Sequence, residues 1–100
     1  RSPGLAAAPP RKLGEAQLLQ RLQRGDRLRP HPFARLAWAR SGRAALAFAD
    51  GEARPCDRSG ASRLCSGEPL TLSDYESLSP AAQELARDWL NAGKLVIERA

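Results

Sequence analysis

Two turn signals nine residues apart limit this chain more than any other feature. Ser41-Gly42 and Asp50-Gly51 each interrupt an apolar run, and both are dipeptides that favour tight hairpins. Phe33 to Arg40 and Arg43 to Ala49 flank the first turn and read as strands. Leu36 and Trp38 alternate along the first, and Leu46 and Phe48 along the second. Glu52 to Cys56 can return as a third strand. The middle of the chain is therefore expected to fold as a three-stranded antiparallel meander, with Trp38 and Phe48 in the core.

Helical spacing governs both sides of this meander. Lys12 to Arg24 carries Leu13, Ala16, Leu19 and Leu22 at helical intervals and stops at Gly25. Arg29-Pro30-His31-Pro32 then reads as an extended connector, because a residue before proline avoids the helical region. After the meander, Asp57 or Ser59 can cap a short helix reaching Cys65. Thr71 introduces a second short helix, Leu72 to Leu78. Ser79-Pro80 opens a longer one, with serine as N-cap and proline in the first turn. Its apolar stripe is Ala81, Ala82, Leu85, Ala86, Trp89 and Leu90, and Gly93 ends it. Lys94 to Glu98 closes the chain as a strand.

The resulting class is α+β and winged-helix-like: an N-terminal helix, a small antiparallel sheet, and a three-helix bundle with a closing strand. Residues 1–10, rich in proline and alanine, read as a linker, and residues 11–100 as the domain. With 42% hydrophobic and 27% charged residues, the chain has enough apolar content for a core. Phe33, Trp38, Phe48 and Trp89 are expected to anchor it, together with Leu13, Leu19, Leu22 and Leu95. The chain holds no methionine and begins at Arg1, which reads as a piece of a longer polypeptide.

Several kinds of chemistry are missing. His31, the single histidine, lies between two prolines without a catalytic partner in sequence. The glycines are scattered turn residues and form no phosphate loop. Glu84 and Asp88, four apart, fit a solvated helix face better than acid–base work. Cys56 and Cys65 with one histidine fall short of a zinc ligand set, and read as free thiols, although their pairing stays open. No apolar run approaches the ~20 residues that span a bilayer.

Charge is uneven. Residues 1–50 hold ten Lys/Arg and three acids, whereas residues 51–100 hold six and eight. The helix-turn-helix outline, Leu72 to Ala92, invites a nucleic-acid reading. From Leu70 to Ala92, however, four acids face one arginine, and a duplex would repel that surface. Arg35, Arg40 and Arg43 on the basic half, with Leu46, Phe48 and Trp89, are the candidate interaction residues.

The segment Phe48-Ala49-Asp50-Gly51-Glu52 ends a hairpin. Leu64-Cys65, Leu70-Thr71-Leu72 and Trp89-Leu90-Asn91-Ala92-Gly93-Lys94-Leu95 follow it. Together with Pro9 through Gly25, these resemble the C-terminal winged-helix domain of bacterial cupin-like JmjC ribosomal oxygenases. Those proteins hydroxylate a ribosomal-protein arginine using Fe(II) and 2-oxoglutarate. The family holds its iron with His-x-Asp and a later His, and His31-Pro32-Phe33 does not match that motif. The resemblance thus implies no catalytic, cofactor or metal residue here. It implies a cytoplasmic accessory domain that packs on the parent's catalytic domain and supports dimerisation or presentation of a ribosomal-protein substrate. Two other readings stand beside it. One is a peptide-binding winged helix that uses the strand near Arg43–Ala49 and the last helix. The other is a basic nucleic-acid-binding module with weak affinity.

Overall fold

Glycine and proline positions set most element boundaries. The computed structural model describes residues 12–100; the expected linker over residues 1–10 lies outside them. Helix α1 (Glu15–Gln23) ends just before Gly25, whose φ of +98° lets the chain reverse. Strands β1 (Arg27–Pro30), β2 (Leu36–Ser41), β3 (Ala44–Ala49) and β4 (Glu52–Cys56) follow. Helices α2 (Arg58–Leu64), α3 (Leu72–Glu76) and α4 (Pro80–Asn91) and strand β5 (Leu95–Glu98) complete the order. This is the expected α+β, winged-helix arrangement.

The meander forms as expected, with β3 between β2 and β4 and both pairings antiparallel. Asp50 and Gly51 make the second turn with φ values of 50° and 90°, the left-handed pair of a type I′ hairpin. The first turn is Gly42-Arg43, closed by Ser41 and Ala44, with Gly42 at φ 61°.

Three expectations need correction. First, the connector before the meander is a strand: β1 pairs antiparallel with β5, from Arg27 opposite Glu98 to Pro30 opposite Leu95. Arg27 and Arg29 both donate to the Glu98 carboxylate, at 2.7 and 2.6 Å, and proline is tolerated at this strand's end. Second, Phe33 is 86% exposed and anchors nothing. The Ala34 N–H donates to the His31 carbonyl at 3.0 Å, closing a turn that lifts Phe33 away from the core. Third, β3 presents the opposite face. Ala45, Ala47 and Ala49 are buried, while Leu46 and Phe48 on the other face are half-buried. Small side chains on the inner face let the helices approach the sheet closely.

The helix starts follow the predicted caps. Asp57 accepts from the Gly60 N–H at 2.8 Å, Thr71 from Asp74 at 3.2 Å, and Ser79 from Ala82 at 3.0 Å. Gly60 lies so near α4 that a Cβ there would sit 2.5 Å from the Ala82 Cβ. Helix α3 is shorter than expected and ends at Glu76.

The core lies between the helices and the alanine face of β3. Leu18, Leu28, Leu64, Leu70, Tyr75, Leu85 and Leu95 are its largest fully buried side chains. Leu22 and Trp89 join them, and Leu19 and Trp38 pack half-buried against them. Leu18 takes the place expected for Ala16, which is exposed. Helix α1 is held by more than packing. The Leu13 N–H donates to the Asn91 side chain at 2.7 Å, which returns a bond to the Leu13 carbonyl at 3.1 Å. The Tyr75 hydroxyl donates to Glu15 at 2.9 Å, and Arg87 donates to both, at 2.8 and 3.0 Å.

Candidate functional site

Side chains alternate along strands, so the register divides the meander into two surfaces. Trp38, the buried alanines of β3 and Cys56 lie on the helix side. The outer side carries Ala37, Ala39, Leu46, Phe48, Ala53 and Pro55. All six are apolar, and each is exposed or half-buried. Of the candidates named from sequence, Leu46 and Phe48 therefore do reach a surface, through the face that was expected to point inward. The four neighbours that complete the patch were missed. Strand parity, counted from a closing pair at Ser41 and Ala44, is the signal that finds them.

The three candidate arginines lie at the two ends of β2, Arg40 with the parity of Trp38 and Arg35 with that of the patch. Arg35 immediately precedes β2, Arg40 lies near its end, and Arg43 is in the hairpin turn; all are exposed. None joins the ion pairs formed among the described residues. The chain has no acidic residue between Asp26 and Asp50, so the meander's first hairpin is a purely cationic border around an apolar centre. Arg58 reinforces it: its guanidinium donates to the Ala44 carbonyl at 3.2 Å and also to the Gly42 carbonyl.

Trp89 stands apart from these residues. It is 4% exposed and forms the floor of a groove of about 340 Å³ between α4 and β4, lined also by Glu52, Arg54, Asp88 and Lys94. Arg54 and Asp88 pair across the groove at 2.8 Å. At its end, Lys94 donates to Asp50 at 2.6 Å, and the same carboxylate accepts the Arg35 N–H at 2.9 Å. These bonds hold the Asp50 carboxyl below its ordinary range, the lysine contact being the larger cause. Arg54 and Asp88, and Lys94 and Asp50, are thus engaged with one another.

The helix-turn-helix offers no cation for nucleic acid on α4. Arg87, its single basic residue, is engaged with Tyr75 and Glu15. A strand-adding peptide is also excluded from β3, because both edges of that strand are paired. The site expected at Arg43–Ala49 is thus corrected: the free edges of this sheet belong to β2 and β4.

Redox and metal chemistry find little support. Cys56 and Cys65 are both free thiols. Burial pushes each up to about 11. His31 uses its Nδ1 to accept the Phe33 N–H at 3.1 Å. Among the described residues, no three His, Cys, Asp or Glu side chains converge as metal ligands. The residues present therefore do not fit an iron site. Among the described residues, no helix is long and apolar enough to cross a membrane.

Comparison with known proteins agrees with this architecture. The family model described as ROXA-like winged helix matches residues 2–95. Among solved structures, the chain is similar to E. coli ycfD, known from an X-ray structure, with a TM-score of 0.68 and 23% identity. The match covers 91% of this chain and 24% of that one, so the chain spans about a quarter of the protein it resembles. At this identity the likeness is one of fold. No curated protein matches.

Proposed function

Since the chain belongs to the ROXA-like winged-helix family, we propose that it is a non-catalytic accessory domain of an Fe(II)- and 2-oxoglutarate-dependent ribosomal-protein hydroxylase. In this reading the parent is a cytoplasmic cupin-like JmjC protein. Its catalytic barrel is the first partner of the winged helix, and the domain supports dimerisation or presentation of the ribosomal substrate. The match over residues 2–95 is the observation that carries the reading. The wing, the β2–β3–β4 meander, supports it physically. An apolar face bordered by arginines serves a docking module, whereas a catalyst needs convergent titratable groups in a cleft. Iron and 2-oxoglutarate would be held by the parent's other domain, and no step is assigned to residues of this chain.

The test is a pair of hydroxylation assays read by mass spectrometry of ribosomal proteins. This chain with Fe(II) and 2-oxoglutarate should leave them unmodified. The whole gene product that contains it should add one oxygen to a ribosomal-protein arginine. Hydroxylation by this chain alone, or an inactive whole product, would overturn the reading.

A further inference from the structure

We propose that the free edge of β2 binds an extended segment of a partner protein that is apolar at its centre and acidic at both ends. The inference goes beyond the accessory role above and does not depend on it.

Hydrogen-bond parity identifies the edge. The Asp50 N–H donates to the Arg35 carbonyl at 2.9 Å, and Arg35 stands one register step before the Leu36–Ala49 pair. In an antiparallel ladder, residues alternate between bonding their neighbour strand and pointing away from it. Ala37 and Ala39 therefore bond to β3, while Leu36, Trp38 and Arg40 direct their N–H and carbonyl groups outward. β2 thus offers three donors and three acceptors in a row. Proteins normally blunt such an edge with proline, a bulge, charge or a covering element. Here Arg40 is the one charge within the strand. The opposite edge is a poor alternative, because Ala53 and Pro55 point outward on β4 and proline has no N–H.

The surroundings specify what binds. A strand added to β2 extends the sheet and lays its alternate side chains beside Ala37, Ala39, Leu46 and Phe48. Those positions call for apolar residues. The added strand's other side chains fall on the face of Leu36, Trp38 and Arg40, and its ends pass Arg35 on one side and Arg40 and Arg43 on the other. None of these arginine side chains joins an ion pair among the described residues. Both ends of the strand therefore call for Asp or Glu, and its centre, beside Leu36 and Trp38 on one face and the alanines on the other, calls for apolar residues. A second copy of this chain fits less well, since edge-to-edge pairing would bring two arginine borders together. RNA fits less well because Phe48 is the one aromatic on an otherwise aliphatic face, and base stacking needs more.

The experiment is an NMR titration of the isotope-labelled chain with a capped nine-residue peptide that carries valine and threonine at its centre and two glutamates at each end. The expected result is saturable shifts at the Leu36, Trp38 and Arg40 amides, with slowed exchange of those three N–H groups. Arg35→Glu/Arg40→Glu should weaken binding by about tenfold or more. Both positions are exposed, so an unchanged spectrum outside β2 certifies that the variant is folded. The same peptide with lysine in place of each glutamate should not bind. Four results would overturn the inference: no shifts at millimolar peptide, shifts confined to β4 and α4, equal binding of the lysine peptide, or concentration-dependent dimerisation through the same edge. Displacement of the peptide by a single-stranded RNA at low salt, with a higher affinity than the peptide, would overturn the choice of partner.

Discussion

Asp57 serves two helices. Its carboxylate caps α2 through the Gly60 N–H and also accepts the hydroxyl of Ser79, itself the cap of α4. Replacing a cap by alanine costs about 1 kcal/mol. With two starts affected, Asp57→Ala should cost about 2 kcal/mol by urea denaturation. An effect of only about 1 kcal/mol would mean that Ser79 caps α4 independently of Asp57. Gly60→Ala tests the same helix crossing from the packing side. Its Cβ would meet Ala82 at 2.5 Å and the Asp57 carboxylate at 3.0 Å, and overpacking of this kind costs about 1–3 kcal/mol. Acid should act through the same bonds. The Ser79 hydroxyl holds the Asp57 carboxyl below the ordinary aspartate value of 3.8, and the Thr71 N–H does so for Asp74. A carboxylate with a lowered folded value contributes stability that is complete above 3.8 and is lost as pH falls through the folded value. The melting temperature should therefore hold from neutral pH to about pH 5 and drop below about pH 4. Asp57→Asn should flatten that acid limb.

Strand β3 separates what was legible from what was not. Its existence, its turns and its place in a meander follow from Ser41-Gly42 and Asp50-Gly51, which are local signals. Its facing does not. A strand of sequence Ala-Ala-Leu-Ala-Phe-Ala is apolar on both sides, and hydrophobicity favours turning Leu46 and Phe48 inward. Helix packing decides otherwise, because α2 packs on β3, whose inner face is alanine. The same limit hid Leu18 in α1, where Leu18 and Leu19 are adjacent and the sequence does not say which one meets the core. It hid β1 as well, whose partner β5 lies about seventy residues away and leaves no local trace. The candidate site was half legible: the arginines and Leu46 and Phe48 were found, while their small neighbours needed the register. Paired substitutions check the facing. Ala47→Leu should cost about 1–3 kcal/mol by overpacking. Leu46→Ala, on the half-buried face, should cost under about 1 kcal/mol. The reverse order would mean a strand slipped by one residue, since such a slip exchanges the faces.

At the scale of the whole molecule, helix α1 and the β1–β5 ribbon fasten the ends of the described chain onto the winged core. Leu18 and Leu22 enter that core, Asn91 and Tyr75 grip the start of α1, and buried Asp26 just beyond it receives bonds from Arg21 and the Ala100 N–H, both at 3.1 Å. The bonds of Asn91, Tyr75 and Ala100 join segments more than fifty residues apart in sequence, so their loss is felt globally. Replacing a buried leucine by alanine costs about 2–5 kcal/mol, and a domain of this size has about 5–15 kcal/mol in total. Leu18→Ala/Leu22→Ala removes two such side chains at one site and should abolish the cooperative thermal transition followed by circular dichroism. Either single variant should keep the transition and melt lower. If the double variant still melts cooperatively near the parent temperature, α1 is an appendage, and the folded unit begins at the first strand. If the transition is lost, the unit begins with α1, and any docking through the wing depends on a helix at the far end of the fold.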